Sequence, residues 1–242
     1  MDVLLTTGLA GLTWLTLLGG WRMGDTRLDY TPSFGAIALG LLAVGAAVWI
    51  FGIAAGLALI LTVLVHEYGH VAAFRVAGHS DATFRLIPFF GGVAISRRMP
   101  DTRLHDFYIT AMGPGICLVL MCGAFTLANA LPEDSPLAEF CVLVGVFSGV
   151  LNFFRLLPLW PIDGGKMLHA IVGALSPGAA DKLMYAMGVL VLVVALALHS
   201  IILFVFGLLS FQSIAGSAAA HRELRPMSEL EALHGLAIHQ LM

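Results

Sequence analysis

The sequence predicts an all-α polytopic membrane protein with six to seven transmembrane helices and one short membrane-associated β-hairpin. The first observation is composition: 59% of the 242 residues are hydrophobic and only 11% are charged, whereas a soluble domain carries about 25% charged residues. The second is that apolar segments near the roughly 20 residues needed to cross a bilayer recur along the chain. The third is that basic residues gather in alternate loops, a pattern typical of membrane proteins.

Seven apolar segments are candidate spans. They cover residues 3–19, 34–51, 53–77, 107–131, 137–157, 179–198 and 200–217. The uncharged stretch at 31–65 is too long for one span, so we expect a reversal near 51–56, where Gly52 and Gly56 loosen the helix. Because the first span is short and the last two meet at His199, the count is six or seven.

Charge placement supports seven spans. The basic residues that lie at or after the ends of the odd-numbered spans are Arg22, Arg27, Arg75, Arg85, Arg97, Arg98, Arg103, Arg155, Lys166, Arg222 and Arg225. The short loop at 131–139, on the opposite side, is acidic. The positive-inside rule therefore predicts an outside N-terminus and a cytoplasmic C-terminus. The short loops favour a bacterial plasma (inner) membrane, with an organellar membrane as the alternative.

The segment at 82–99 predicts the hairpin. It has no helical periodicity, contains Pro88 and a Gly-Gly pair, and is rich in aromatic and β-favouring residues. At membrane depth its strand edges must be covered by protein or face a cavity. His79 and His105 flank it, and we expect both to be solvated.

The domain organisation follows from these segments. Residues 1–217 are predicted to form an integral membrane core, in which the span at 3–19 is extra and the core proper covers about 27–217. Residues 218–242 predict a cytoplasmic amphipathic tail, because a capping box from Ser228 to Glu231 precedes apolar residues at helical spacing. The sequence has no basic patch of the kind that binds nucleic acid, so nucleic acid is not expected as a partner. Three cysteines without CxxC spacing, Cys117, Cys122 and Cys141, are expected to be small apolar residues of the core.

The stretch His66-Glu67-Tyr68-Gly69-His70 is the strongest chemical signal. Residues four apart share one face of a helix, so His66 and His70 can bind a single ion. Glu67 lies beside that face and can reach a water on the metal. Zinc lowers the pKa of such a water towards about 7. These polar side chains would otherwise be desolvated in an apolar segment without compensation.

A catalytic zinc commonly has three protein ligands, and Asp163 is the best candidate for the third. It follows Pro158 and Pro161, which end the fifth span, and precedes Gly164-Gly165, which allow close backbone approach. The alternative is that Asp163 caps the helix predicted at 166–175. Spacing alone leaves both interpretations open.

The HEYGH stretch, together with Pro158-x-x-Pro161-x-Asp163-Gly164-Gly165, resembles the site-2 protease family of intramembrane zinc metalloproteases. The resemblance is greatest to the branch of sporulation factor processing enzymes, in a minimal form without PDZ or CBS domains. It covers about residues 27–217 and includes a glycine-bearing strand segment at 89–93 and the pair Gly113-Pro114.

The resemblance implies a function and assigns roles. It implies that the protein hydrolyses peptide bonds within or near transmembrane segments of membrane proteins, in regulated intramembrane proteolysis. One Zn²⁺ per chain would be held by His66, His70 and Asp163, with Glu67 as the base. The strand Phe90, Gly91, Gly92, Val93 and Ala94 would pair with an unwound substrate. The implied partners are transmembrane substrates and membrane lipid, and homo-oligomer formation is left open.

One position departs from the family pattern. The family's second motif begins with Asn three residues before the first Pro, where this chain has Arg155. Arg155 is a candidate substrate-binding donor in its place, and Asn152, one helical turn earlier, is the other. A weakened site is a third interpretation, and an interfacial anchor that extends to the headgroups is a fourth.

Two other functions compete with the peptidase. A catalytically inactive relative would bind membrane helices as a chaperone or regulator; the intact motif counts against it and Arg155 counts mildly for it. A transporter would place ionisable groups on several spans, often with internal repeats. Here those groups concentrate in two motifs and no repeat is visible.

Overall fold

A computed structural model of the protein describes residues 2–22, 34–87, 91–96, 102–201, 203–208 and 210–211. The described elements are, in chain order, α1 (Asp2–Arg22), α2 (Phe34–Phe51), α3 (Ile53–Val76), β1 (Thr83–Ile87), β2 (Gly91–Ile95), α4 (Arg103–Ala130), α5 (Pro136–Arg155), α6 (Asp163–Leu175) and α7 (Pro177–Ala197). Residues 203–208 are also helical. The chain divides into two compact units between Pro158 and Leu159.

Four of the described helices are long and apolar enough to cross a membrane. They are α3, α4, α5 and residues Gly178–Ala197 of α7. Helix α2 has a shorter apolar stretch, Ile37–Phe51. The protein is therefore an integral membrane protein, with the predicted spans at 53–77, 107–131, 137–157 and 179–198 matching these four helices. The total of six or seven spans stays a prediction, and the predicted tail at 218–242 lies outside the described residues.

Large apolar side chains on the outside of the first unit suit a lipid environment. Trp49 is 87% exposed and Phe153 is 67% exposed. The interior between α3, α4 and α5 instead holds small residues, among them the buried Ala58, Ala124 and Val144. Membrane helices approach closely where small residues meet, because van der Waals packing holds them together in lipid.

The reversal between α2 and α3 takes place at one glycine. Helix α2 ends at Phe51, and Gly52 adopts a φ of 85°, a conformation that a side chain would strain. Helix α3 then runs back so close to α2 that a Cβ on Gly56 would lie 2.7 Å from Cα of Val48. The predicted reversal near 51–56 is confirmed, and Gly56 serves as a contact between the two helices.

Helix α1 packs directly on α3 in the first unit. A Cβ on Gly20 would lie 2.5 Å from Cα of Ala72, so only glycine allows this approach. Arg75 Nη1 donates to the Gly20 carbonyl at 3.3 Å. Thr16, buried on α1, shares a hydrogen bond of 2.5 Å with the Tyr108 hydroxyl of α4.

The two strands follow α3, where the hairpin is predicted. They pair antiparallel, with Thr83 opposite Ile95 and Ile87 opposite Gly91. Association of the hairpin with the membrane stays a prediction. The expectation that His79 is solvated is wrong: His79 is 3% exposed and its Nδ1 lies 3.1 Å from Ser96 Oγ. Ser96 also donates to Asp81 Oδ1 at 3.2 Å. The hydrogen bonds of Ser96 with His79 and Asp81 therefore join the end of β2 to the turn after α3.

Candidate metal centre

Three polar side chains are buried within five residues of the apolar helix α3. His66 is 0%, Glu67 1% and His70 6% exposed. The helical spacing predicted that the two imidazoles share a face, and their Nε2 atoms lie 3.2 Å apart. The two rings meet edge to face, with centroids 4.9 Å apart. Two ring nitrogens therefore converge on one point.

Groups on α3 and α4 hold the other nitrogen of each ring. His70 Nδ1 donates to the Ile109 carbonyl at 2.8 Å, and a carbonyl can only accept, so the His70 proton is on Nδ1. His66 Nδ1 lies 3.5 Å from Cys117 Sγ, whose thiol points to the Thr62 carbonyl at 3.8 Å. Such contacts orient a metal-binding imidazole and select the nitrogen that meets the metal. Here they select Nε2 on both rings.

Gly113 of α4 leaves room beside these nitrogens. A Cβ at this position would overlap Cε1 and Nε2 of the His70 ring and lie 2.9 Å from Nε2 of His66. Any side chain would therefore occupy the point on which the imidazoles converge. The glycine of the Gly113-Pro114 pair thus has a direct steric reason.

The geometry of the two imidazoles fits a zinc ion. Zn–N bonds of about 2.0–2.1 Å at a tetrahedral angle hold two nitrogens about 3.3–3.4 Å apart. The observed Nε2–Nε2 distance is 3.2 Å. Two imidazoles and a carboxylate are also a donor set that zinc takes in hydrolytic enzymes.

Asp163 lies in the second unit, as the first residue of α6, and is 2% exposed. The N-cap residue of α6 is Ile162, so the capping role considered for Asp163 is not what the structure shows. Gly165 packs against the carbonyl of Leu159, where a Cβ would overlap the backbone, which explains this glycine. Asp163 is thus, besides His66 and His70, a third buried side chain of a kind that can bind a metal ion.

Glu67 and the two candidate donors of α5 have distinct partners. Arg155 Nη2 donates to Glu67 Oε1 at 2.9 Å. The Asn152 side chain is buried, and its Nδ2 donates to the Pro114 carbonyl at 2.9 Å. Arg155, the last residue of α5, is thus turned towards the HEYGH helix, whereas Asn152 joins α5 to α4.

The strand residues predicted to bind substrate are placed first, and His169 of α6 after them. Gly91, Gly92, Val93 and Ala94 lie on β2, which pairs with β1, and Phe90 lies outside the described residues. His169 Nε2 lies 3.2 Å from Asp181 Oδ1, and its ring contacts that of Trp160.

Sequence reasoning missed two contributors to the site. Cys117 was predicted to be only a small apolar residue, and nothing in its sequence context marks the contact with His66. The contact of Arg155 with Glu67 was missed as well. A single arginine at the end of an apolar span was a signal from which a buried acidic partner could have been predicted.

Comparison with known proteins finds relatives that are similar to about half of this chain. A Synechocystis protein provisionally named a zinc metalloprotease is 31% identical over 128 residues, 53% of this chain and 34% of that protein. Stage IV sporulation protein FB of Bacillus subtilis is 30% identical over 121 residues, 50% of this chain and 41% of that protein. Rip3 of Mycobacterium tuberculosis, also provisionally named a zinc metalloprotease, is 31% identical over 126 residues, 50% of this chain and 32% of that protein. The matches thus span about a third to two fifths of the relatives.

The fold has a counterpart among solved structures. The site-2 protease from Methanocaldococcus jannaschii superposes with a TM-score of 0.51 at 21% identity, covering 75% of this chain and 86% of that one. At this identity the likeness shows the fold alone. No protein-family model matches the chain. The metalloprotease names of two of the relatives and the shared fold agree with the resemblance of the two motifs to the site-2 protease family.

Proposed function

We propose that the protein is an intramembrane zinc metalloendopeptidase that hydrolyses peptide bonds within or near transmembrane segments of membrane proteins, in regulated intramembrane proteolysis. The observation that carries the proposal is the convergence of two imidazole Nε2 atoms, 3.2 Å apart, beside a buried glutamate in an apolar helix. Burial of such groups in lipid is costly without a functional reason. The zinc metalloprotease names of the relatives support the same chemistry.

His66, His70 and Asp163 would hold one zinc ion. When bound, zinc supplies a water of lowered pKa and polarises the carbonyl that is attacked. Glu67, next to His66 in the chain, would accept the proton of the attacking water and deliver it to the leaving nitrogen of the substrate. The contacts of Ile109 and Cys117 with the two rings keep both Nε2 atoms directed at one point during this exchange.

The strand β2 would receive the substrate. A transmembrane helix must unwind before its peptide bonds become reachable, and strand addition would hold the unwound segment extended. In the described part of the chain the sheet has two strands, so β2 has a second edge besides the one paired with β1. Phe90 to Ala94 would form this edge, and the two glycines in it, Gly91 and Gly92, would let the substrate backbone approach closely.

The site would lie at a defined depth in the membrane. His66 is 13 residues from the start of α3 at Ile53, which at about 1.5 Å per residue is about 20 Å. With the proposed topology, an outside N-terminus and a cytoplasmic C-terminus in a bacterial plasma membrane, this depth is nearer the cytoplasmic side. The proposed partners are transmembrane substrates and the surrounding lipid.

One observation favours a second candidate function. Arg155 occupies Oε1 of Glu67, the carboxylate assigned as general base. If the Arg155–Glu67 pair never separated and Oε2 of Glu67 never reached the attacking water, the protein would be catalytically inactive. It would then bind membrane helices as a chaperone or regulator.

The test is cleavage by the purified chain in liposomes, with a tagged single-span membrane protein as substrate. Wild type should cleave, and Glu67→Gln should keep its zinc and lose cleavage. Glu139→Gln is the matched control, because Glu139 is an exposed carboxylate in the first turn of α5. Equal cleavage by wild type and Glu67→Gln contradicts the peptidase, and binding of the substrate without cleavage by wild type supports the inactive relative.

A further inference from the structure

The carboxylate of Glu67 is buried and forms an ion pair with the last residue of α5. Arg155 Nη2 lies 2.9 Å from Glu67 Oε1, and the two side chains are 17% and 2% exposed. The partners are 88 positions apart in the chain. The pair therefore forms only when the end of α5 packs against α3. Because both charges are largely removed from water, the pair compensates the buried carboxylate of Glu67 with an opposite charge.

This contact does not fit a surface anchor. An arginine at the end of a membrane helix commonly extends along the apolar surface and keeps its guanidinium in water. The guanidinium of Arg155 is instead turned inward, to the side chain that follows His66. The hydrogen bond to Glu67 therefore explains the position of the Arg155 side chain.

The neighbouring Asn152 does not supply the same contact. Its side-chain NH₂ group donates to the Pro114 carbonyl at 2.9 Å, and its side chain is buried between helices. This hydrogen bond joins α5 to α4 at the proline inside α4. Of the two candidates on α5, Arg155 is the one that contacts Glu67.

We propose that Arg155 is a positioning residue for Glu67, holding one carboxylate oxygen so that the other faces the reacting water. This role rests on the proposed peptidase function. The last torsion of a glutamate side chain is broad and does not fix the carboxylate by itself. A hydrogen bond from a charged donor at 2.9 Å does fix it. A general base must lie within hydrogen-bonding reach of the proton that it takes, so this orientation bears directly on the rate.

The proposal distinguishes arginine from lysine at this position. A guanidinium is planar and always charged, and its donors lie in a fixed fork, whereas an ammonium is a compact charge on a flexible chain. Arg155→Lys keeps the charge and loses the directed donors. It should therefore retain only part of the function of Arg155, and more than Arg155→Met retains.

The kinetic test uses the full chain in detergent with a tagged single-span membrane protein. Arg155→Met should lower kcat by up to about 100-fold, the size of effect that misplacement of a reacting group produces. KM should change little, because substrate binding is not what the arginine provides, and Arg155→Lys should lie between. Arg22→Met, at an exposed arginine in the last turn of α1, is the control and should cleave at the wild-type rate. An unchanged or raised kcat, or an effect confined to KM, overturns the proposal.

A second test does not depend on cleavage. Thermal unfolding of Glu67→Met, Arg155→Met and the double variant is compared in chelator-treated protein. Each single variant breaks the Glu67–Arg155 ion pair and should lower Tm, and the double variant should lose less than the sum of the two. Additive losses overturn the ion pair. A wild type that cleaves nothing overturns the proposed function and this role together, whereas a cleaving wild type with additive losses overturns only the role of Arg155.

Discussion

Gly113 of α4 lies directly against the imidazole of His70, so closely that a Cβ at this position would overlap the ring. The same atom would lie 2.9 Å from Nε2 of His66. The two histidines on α3 therefore depend on a missing side chain in a neighbouring helix. A helix interior normally favours alanine over glycine by about 1 kcal/mol. Gly113 therefore costs helix stability and leaves room for the two imidazoles.

Gly113→Ala should lower zinc affinity by at least about tenfold, the lower end of what disturbed ligand orientation costs. The added methyl group would displace the Nε2 atoms from their common point. Zinc content of the purified variant and competition with a chelator would measure the change.

Gly123→Ala is the control for this effect. It lies on the same helix, and a Cβ there would have nothing within 4 Å. It should bind zinc as wild type does and unfold at the same temperature or slightly higher. Wild-type zinc affinity in Gly113→Ala would show that the convergence of the two imidazoles is not the metal-binding geometry.

The contact of Cys117 with His66 predicts a weaker effect on the metal. Cys117 Sγ lies 3.5 Å from His66 Nδ1, and the residue is fully buried. Cys117→Ala removes this partner and leaves the ring less firmly oriented, so zinc affinity should fall by up to about tenfold. Chelator competition measures it, and Cys122→Ala, at an exposed cysteine of the same helix, should show no change. Equal affinities in both variants would make Cys117 a packing residue.

Helix α1 should contribute to the stability of the first unit. A Cβ on Gly20 would lie 2.5 Å from both Cα and Cβ of Ala72, so Gly20→Ala forces α1 away from α3. Overpacking of this kind costs about 1–3 kcal/mol, which thermal unfolding in detergent would register as a lower Tm. Gly11→Ala adds the same methyl group where nothing lies within 4 Å, and its Tm should not fall. Equal Tm values in the two variants would contradict close packing of α1.

What the sequence could predict depended on how far apart the partners lie in the chain. His66 and His70 are one helical turn apart, so their common face follows from helix geometry alone. The reversal at Gly52 was also readable, because an uncharged stretch too long for one span must fold back and glycine marks where.

Contacts between distant segments could not be read in this way. Arg155 reaches Glu67 across 88 positions, and this contact follows from the packing of α5 against α3, which local sequence does not show. His79 was expected in water because it flanks the predicted hairpin. Its partner Ser96 lies 17 positions away, beyond the hairpin, and local sequence does not show that the chain returns there.

Asp163 carries the last prediction, since it is the proposed third ligand. Asp163→Ala should abolish stoichiometric zinc binding, because two imidazoles alone leave the ion without the carboxylate that completes three protein ligands. The matched control is His169→Ala, which removes a residue of the same helix whose ring nitrogen lies 3.2 Å from Asp181 instead. Zinc analysis of both purified variants makes the comparison, with circular dichroism to establish that each is folded. Retention of zinc by Asp163→Ala, or its loss in His169→Ala alone, would show that Asp163 is not the third ligand.

Asp163→Asn is informative as well, because the amide preserves the size of the side chain and removes its charge. If zinc is lost there too, the charge of the carboxylate and not its volume holds the ion.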